Sequence, residues 1–302
     1  MAVGAAMAEI AGSSGRSQAR QARLRFWLCF GPPALYVLVF MVLPYLTMFA
    51  YSFYSKAGYK VIPDLQFASY ERFFSSTLYA DVLLRSVWIA LIVTLGALVI
   101  AYPTAFFMAF VANRRKRLLY FLIIVPLWSS FLLRVFIWKL ILGKEGIVNS
   151  MLLYLDAIDE PLSIILYNQF SVCLTLIYVF VPFMVLPIYT ALEKIPRHYI
   201  EASMDLGGHP FTTFRRVILP LSMPGVIAGC IFAFCLTLGD FVTPTLLGGP
   251  SGIMISNIIM SEFITAFEWP FGSALALAVL VVILVVVAIA ARLERRRDGQ
   301  IV

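Results

Sequence analysis

The chain has 302 residues, 62% of them hydrophobic and 13% charged, with a mean hydropathy of +0.93. A soluble domain is about half apolar and about a quarter charged, so this excess is more than one buried core absorbs and excludes an ordinary soluble protein. The net charge of +7 does not point to nucleic acid, because the cations lie in short clusters between apolar stretches and not on one amphipathic face.

The first 25 residues are small and polar and carry Arg16, Arg20, Arg23 and Arg25, which resembles the start of a signal peptide. The apolar run that follows, Phe26 to Tyr51, is longer than the ~7–15 residues of a signal-peptide core, so it reads as a spanning helix after a disordered tail. A bilayer core needs roughly 20 apolar residues per helix. Six stretches qualify, at about 26–51, 82–111, 118–142, 170–191, 222–243 and 271–291. The expected fold is therefore all-α, a polytopic membrane protein with six transmembrane helices, arranged as a tail (1–25), a membrane domain (26–291) and a basic tail (292–302).

The cations between the stretches set the orientation. Four Lys or Arg precede the first stretch, four follow the second, four lie in residues 192–221 and four in the C-terminal tail. With six spans, all sixteen fall on one side and only Lys56, Lys60, Arg72 and Lys144 on the other, which places both termini in the cytoplasm. Pro32, Pro33, Pro44, Pro103, Pro126, Pro182 and Pro187 fall inside the stretches, each removing a backbone donor and loosening a turn. On the outer side, Ser69 to Phe74 reads as a short helix after a Ser cap, and Ile253 to Phe267 as an amphipathic run.

Three spans carry charge: Arg85 in the second, Arg134 and Lys139 in the third, and Asp240 in the fifth. An intramembrane charge is costly enough to mark function. Asp240 either faces a cavity and meets a cationic solute, or pairs with Arg134 to hold helices together. Trp128, Phe131, Trp138 and Phe241 are aromatic groups that would line a cation path. Cys29, Cys173, Cys230 and Cys235 form no CxxC pair, and with only His198 and His209 no metal-ligand cluster is expected.

The loop after the fourth stretch has the densest pattern. Pro196 begins a short helix, Gly207-Gly208 terminates it, Pro210 starts a second segment and Pro220 ends that before the fifth span. Glu201-Ala202-Ser203, then Gly207, then Val217 and Leu219-Pro220, resembles the EAA loop of ABC-importer permeases, with Ser203 and Val217 as mild departures. That resemblance implies a type I (MetI-like) permease in which Glu201, Ala202, Ser203, Gly207, Leu219 and Pro220 couple the membrane domain to an ATPase.

Pro126 to Arg134 with Trp138, and Leu238 to Pro250, resemble the spermidine/putrescine importer permeases, the first of their two paired subunits. That likeness implies a second homologous permease, a homodimeric ABC ATPase, a periplasmic solute-binding protein and a bacterial inner-membrane location. It also makes Asp240, Arg134, Trp138 and Phe241 candidates for the translocation pathway. The sequence lacks GxxxxGK[ST], so ATP and magnesium are expected on the separate ATPase and no cofactor on this chain. A secondary transporter would need ion-coupling acids and repeated halves, an intramembrane enzyme a His or Ser–His group in the spans, and a passive channel no EAA-like loop.

Overall fold

The computed structural model describes residues 25–58, 60–112, 115–162 and 166–298. The expected N-terminal tail lies outside them. Helix α1 runs Arg25–Tyr51. A small antiparallel hairpin follows, β1 (Ser55–Ala57) with β2 (Lys60–Ile62). Next come α2 (Ala68–Ser75), α3 (Thr77–Val111), α4 (Lys116–Trp128), α5 (Phe131–Leu142) and α6 (Ile147–Tyr154). The chain closes with α7 (Gln169–Glu193), α8 (Arg197–Asp205), α9 (Pro210–Gly239), α10 (Ile255–Ile264) and α11 (Trp269–Asp298).

Five helices, α1, α3, α7, α9 and α11, are long and apolar enough to cross a membrane. The third expected span is not one straight helix. It breaks between Trp128 and Phe131, and the two pieces, Lys116–Trp128 and Phe131–Tyr154, meet at 92°. The cause is local. Pro126 cannot donate to the helix ladder, the Ser129 hydroxyl donates to the Pro126 carbonyl at 2.7 Å, and Ser129 and Ser130 turn extended, with ψ of 152° and 134°. The helices holding Pro103, Pro182 and Pro187 continue through them.

The core is formed by α3, α7 and α9. On α3, Ala90, Ala97, Ala101 and Ala105 are fully buried, giving a small-residue stripe that admits a neighbouring helix. On α9, Gly225 makes the close approach to α7: a Cβ there would stand 2.5 Å from both the Ala191 Cβ and the Pro187 carbonyl. By contrast α1 buries none of its residues and leaves Phe26, Trp27, Phe30, Leu38 and Phe40 exposed, as a helix bathed in lipid or covered by another chain would.

The hairpin, α2 and α10 are tied by charge at one end of the molecule. Lys56 of the hairpin and Arg72 of α2 pair with Glu268 at 3.5 and 3.4 Å, Arg72 approaches Glu262 of α10 at 3.9 Å, and the Arg72 guanidinium lies 4.1 Å from the Phe271 ring centroid. Burial is the main influence on the Glu262 carboxyl and pushes its pKa up, while Arg72 pulls it down. The short outer helix forms where expected, although the position before it is Phe67 and no side chain caps it.

Candidate functional site

The loop between α7 and α9 folds as a braced turn. Pro196 sits in the N-cap position with extended backbone, so the helix begins at Arg197. Its end is a Schellman motif: the Gly207 N–H donates to the Met204 carbonyl and the Gly208 N–H to the Ser203 carbonyl, both at 2.9 Å. Gly207 adopts φ +81°, a left-handed conformation that a side chain resists. Gly208 is required for a different reason. A Cβ there would lie 2.5 Å from the Ser203 carbonyl oxygen and 2.9 Å from its hydroxyl.

The Ser203 and Thr213 hydroxyls share a hydrogen bond of 2.9 Å, which locks α8 to the first turn of α9. The departure of Ser203 from the Ala of the EAA pattern thus has a partner ten residues on. Phe214 packs edge-on against Tyr102 and Phe106 of α3 at 5.8 and 6.0 Å, anchoring the turn to the core. At the root of the loop, Lys116 of α4 donates to the Glu193 carboxylate and lies 5.4 Å from the Tyr189 ring centroid.

Pro220 does not end the second segment. Helix α9 runs from Pro210 through it without a break. Residues Phe214–Ile218 form a π-turn in which the Leu219 N–H donates to the Phe214 carbonyl, five residues back. The wider turn makes room for a proline that can neither donate nor sit over an ordinary turn. The same device precedes Pro44 in α1, where Leu43 donates to Leu38. The helix of the fifth span therefore starts twelve residues earlier than expected, and the segment from Pro210 to Pro220 is continuous with it.

The outward surface of this turn is unsatisfied. Glu201 and Ala202 are exposed, as are Leu206 (90%), Phe211 (72%), Tyr199 and Met204. Among the described residues Glu201 has no ion-pair partner. Tyr199, Ala202, Leu206, Gly207, Thr212 and Arg216 line an open groove of ≈ 490 Å³. Leu219 is half-buried, and Ser222, one turn on, shares a 3.0 Å hydrogen bond with Tyr102.

The intramembrane residues are arranged differently from the expected ion pair. Asp240 is the residue after α9, not inside it, and is 7% exposed. Its carboxylate accepts the backbone N–H of Val242 at 3.0 Å and of Thr243 at 3.3 Å, and its carbonyl accepts the Ser256 hydroxyl at 2.6 Å. Among the described residues no ion pair joins it to Arg134. The backbone N–H groups of the next turn supply what the cation was expected to supply. Arg134 is buried on α5 beside Phe131. Trp138, one turn further along the same face, meets Tyr178 of α7 edge-on at 5.4 Å. Phe241 is 37% exposed at the mouth of the turn after α9.

Residues 101–299, about two thirds of the chain, match the family model described as binding-protein-dependent transport system inner membrane component. The chain belongs to that family. It is a membrane-spanning permease subunit of an ABC importer, located in the inner membrane, and not an enzyme. Among its relatives are the spermidine/putrescine transport system permease protein PotB of Haemophilus influenzae, 38% identical over 80% of this chain and 84% of that protein, and PotB of Escherichia coli, 41% identical over 66% and 72%. The inner membrane ABC transporter permease protein YdcU of Escherichia coli is 34% identical over 83% of this chain and 84% of its own length. In fold, the permease resembles a chain of the bacterial alginate ABC transporter solved with its pentasaccharide-bound periplasmic protein, with a TM-score of 0.74 at 17% identity over 91% of this chain and 96% of that one. It also resembles a chain of the MetNI methionine ABC transporter in an inward-facing form, with a TM-score of 0.55 at 15% identity over 74% and 99%.

Proposed function

We propose that this permease is one of two that together carry polyamines, spermidine or putrescine, from periplasm to cytoplasm, driven by a separate homodimeric ATPase that holds ATP and magnesium. The observation that carries this reading is the braced turn from α8 to α9. It is braced within itself, continuous with a core helix, and presents Glu201, Ala202, Leu206 and Phe211 outward, with no ion-pair partner for Glu201 among the described residues. A rigid handle with an uncovered apolar face fits a cleft on a motor subunit, and Glu201 offers a charge to a cation there.

In this reading the motor closes on ATP and draws the two coupling turns together. Because α9 is unbroken from Pro210 to Gly239, the displacement reaches the outer end of the membrane domain. The cavity then opens outward to a solute-binding protein, and product release returns it inward. The termini and the coupling turn lie in the cytoplasm, and the described outer elements, the hairpin, α2 and α10, face the periplasm. Trp138 and Phe241 border the solute path in this reading. The polyamine assignment draws on the PotB relatives, of which this permease covers 84% and 72%.

The test is reconstitution of the complete importer with its binding protein in liposomes. Spermidine or putrescine should stimulate ATP hydrolysis and accumulate inside. Stimulation by a different solute, with none by polyamine, would replace the substrate. An assembled complex with no ATPase bound through residues 197–210 would remove the mechanism.

A further inference from the structure

We propose that Arg134 is completed by a carboxylate of the second permease subunit, and that this intramembrane ion pair fixes how the two permeases meet beside the broken helix. Arg134 lies in the first turn of α5, immediately past the 92° bend. It is only 8% exposed, and its Nε and Nη1 atoms are shielded from solvent with no acceptor among the described residues. Its surroundings are aromatic: the guanidinium carbon is 6.0 Å from the Phe131 ring centroid, and Trp138, one turn further, packs on Tyr178.

A guanidinium does not escape burial by losing its proton, so it remains a charge that must be balanced. No ion pair among the described residues balances it. The acid expected to do so, Asp240, accepts from the backbone of Val242 and Thr243. Among the described residues, the acids that form ion pairs are Glu193, with Lys116, and Glu262 and Glu268, with Arg72 and Lys56. The flank of α5 around Arg134 is also uncovered: Leu132, Leu133, Phe136, Ile137 and Leu140 are 45–70% exposed. A buried unpaired cation at the margin of an apolar helix face fits a protein helix that brings one acid, whereas acyl chains bring none.

The remaining components differ in charge or position. The proposed solute is a polycation and would be repelled, a step that rests on the polyamine reading. The ATPase and the binding protein sit on the two faces of the membrane. The second permease is the component that shares the membrane layer with α5. Nη2 is the guanidinium nitrogen not among the shielded, unpaired atoms, so a carboxylate from outside meets Arg134 there and from one side, and the pair would set the register of the two subunits.

The test uses the complete importer, with this chain tagged and the second permease measured per tagged copy after solubilisation. R134M removes the charge at similar length and leaves the opposing acid unpaired. Recovery of the second permease should fall about tenfold or more, with uptake lost. R134K, which keeps the charge but not the fork, should fall between. Membrane insertion of this chain alone should be unchanged by either.

Folding damage is separated from pairing by a charge exchange. In an R134E background, each Asp and Glu in the membrane helices of the second permease is replaced in turn by Arg. One replacement should restore both recovery and uptake. The proposal is overturned if R134M keeps full recovery and uptake, or if no replacement in the second permease restores R134E. It is also overturned if a change within this chain alone restores R134E. A wild-type complex that holds both permeases but ignores polyamine would overturn the solute reading alone, since subunit recovery still reports on the pair.

Discussion

The coupling turn and the broken helix α4–α5 treat their polar groups in opposite ways. In the turn, the Schellman bonds, the Ser203–Thr213 hydroxyl pair and the Lys116–Glu193 pair at its root satisfy one another within the chain. At the break, Ser129 turns back on Pro126, and the buried Nε and Nη1 of Arg134 have no acceptor among the described residues. The first region is braced from within and leaves its unpaired groups exposed. The second is half of a site and stays incomplete until another subunit arrives. The difference separates what this chain folds alone from what it leaves to assembly.

The comparison can be broken most severely at Gly208. A valine there drives its side chain into the Ser203 carbonyl, so Gly208→Val should abolish uptake while the chain still inserts, as measured by transport and by membrane fractionation. Gly207→Val meets open space and only a backbone penalty of roughly 1–3 kcal/mol, so some uptake should remain. Equal loss at both positions would show that the turn does not depend on close approach.

At the membrane end, Asp240→Ala should lower stability by about 1–2 kcal/mol, read from thermal unfolding of the purified complex, because two backbone donors lose their acceptor. Asp240→Asn retains one acceptor oxygen and should transport close to normally. Loss of uptake in that variant, with assembly intact, would mean that the carboxylate meets solute after all.

A smaller effect sharpens the picture of the turn. Ser203→Ala and Thr213→Val remove the two ends of one hydrogen bond. Their double variant should cost about 1 kcal/mol less than the sum of the singles in a double-mutant cycle on thermal stability. Additive losses would mean that the hydroxyls act separately.

The smallest effect is at the outer clasp. Burial raises the Glu262 carboxyl above its ordinary 4.5, so the folded state holds that proton more tightly than the unfolded chain. Its contribution to stability is present below 4.5 and declines as the pH rises through the raised value. Protection of the α10 amides, corrected for the rise of intrinsic exchange with pH, should fall across that window in the wild type and stay flat in Glu262→Gln. A flat wild-type profile would show that Arg72 offsets the burial.

Much of this was legible before any coordinates. The apolar stretches gave five helices to within a few residues at most ends, and residues 197–208 gave a short helix stopped by glycine. Four features were not legible. Pro126 looks like Pro103, Pro182 and Pro187 in the sequence, yet only the break after Pro126 turns the chain by 92°, because Ser129 and Ser130 follow it and turn extended. Pro220 reads as a terminator, but a π-turn carries the helix through it. Gly208 reads as a second copy of Gly207, although one serves φ and the other serves space. Thr213 carries no motif and is found only through its distance to Ser203.

Composition and apolar run length determined that the chain lives in a bilayer, because those properties follow from the thickness of lipid. The EAA-like spacing located the turn between α8 and α9, because a short helix closed by glycine is a local structure. Only the tertiary structure decided that Asp240 caps its own turn and leaves Arg134 alone. Hydrogen-bond partners within the fold are chosen by ångström-scale position, and a linear spacing of charges records which groups are present but not which of them meet.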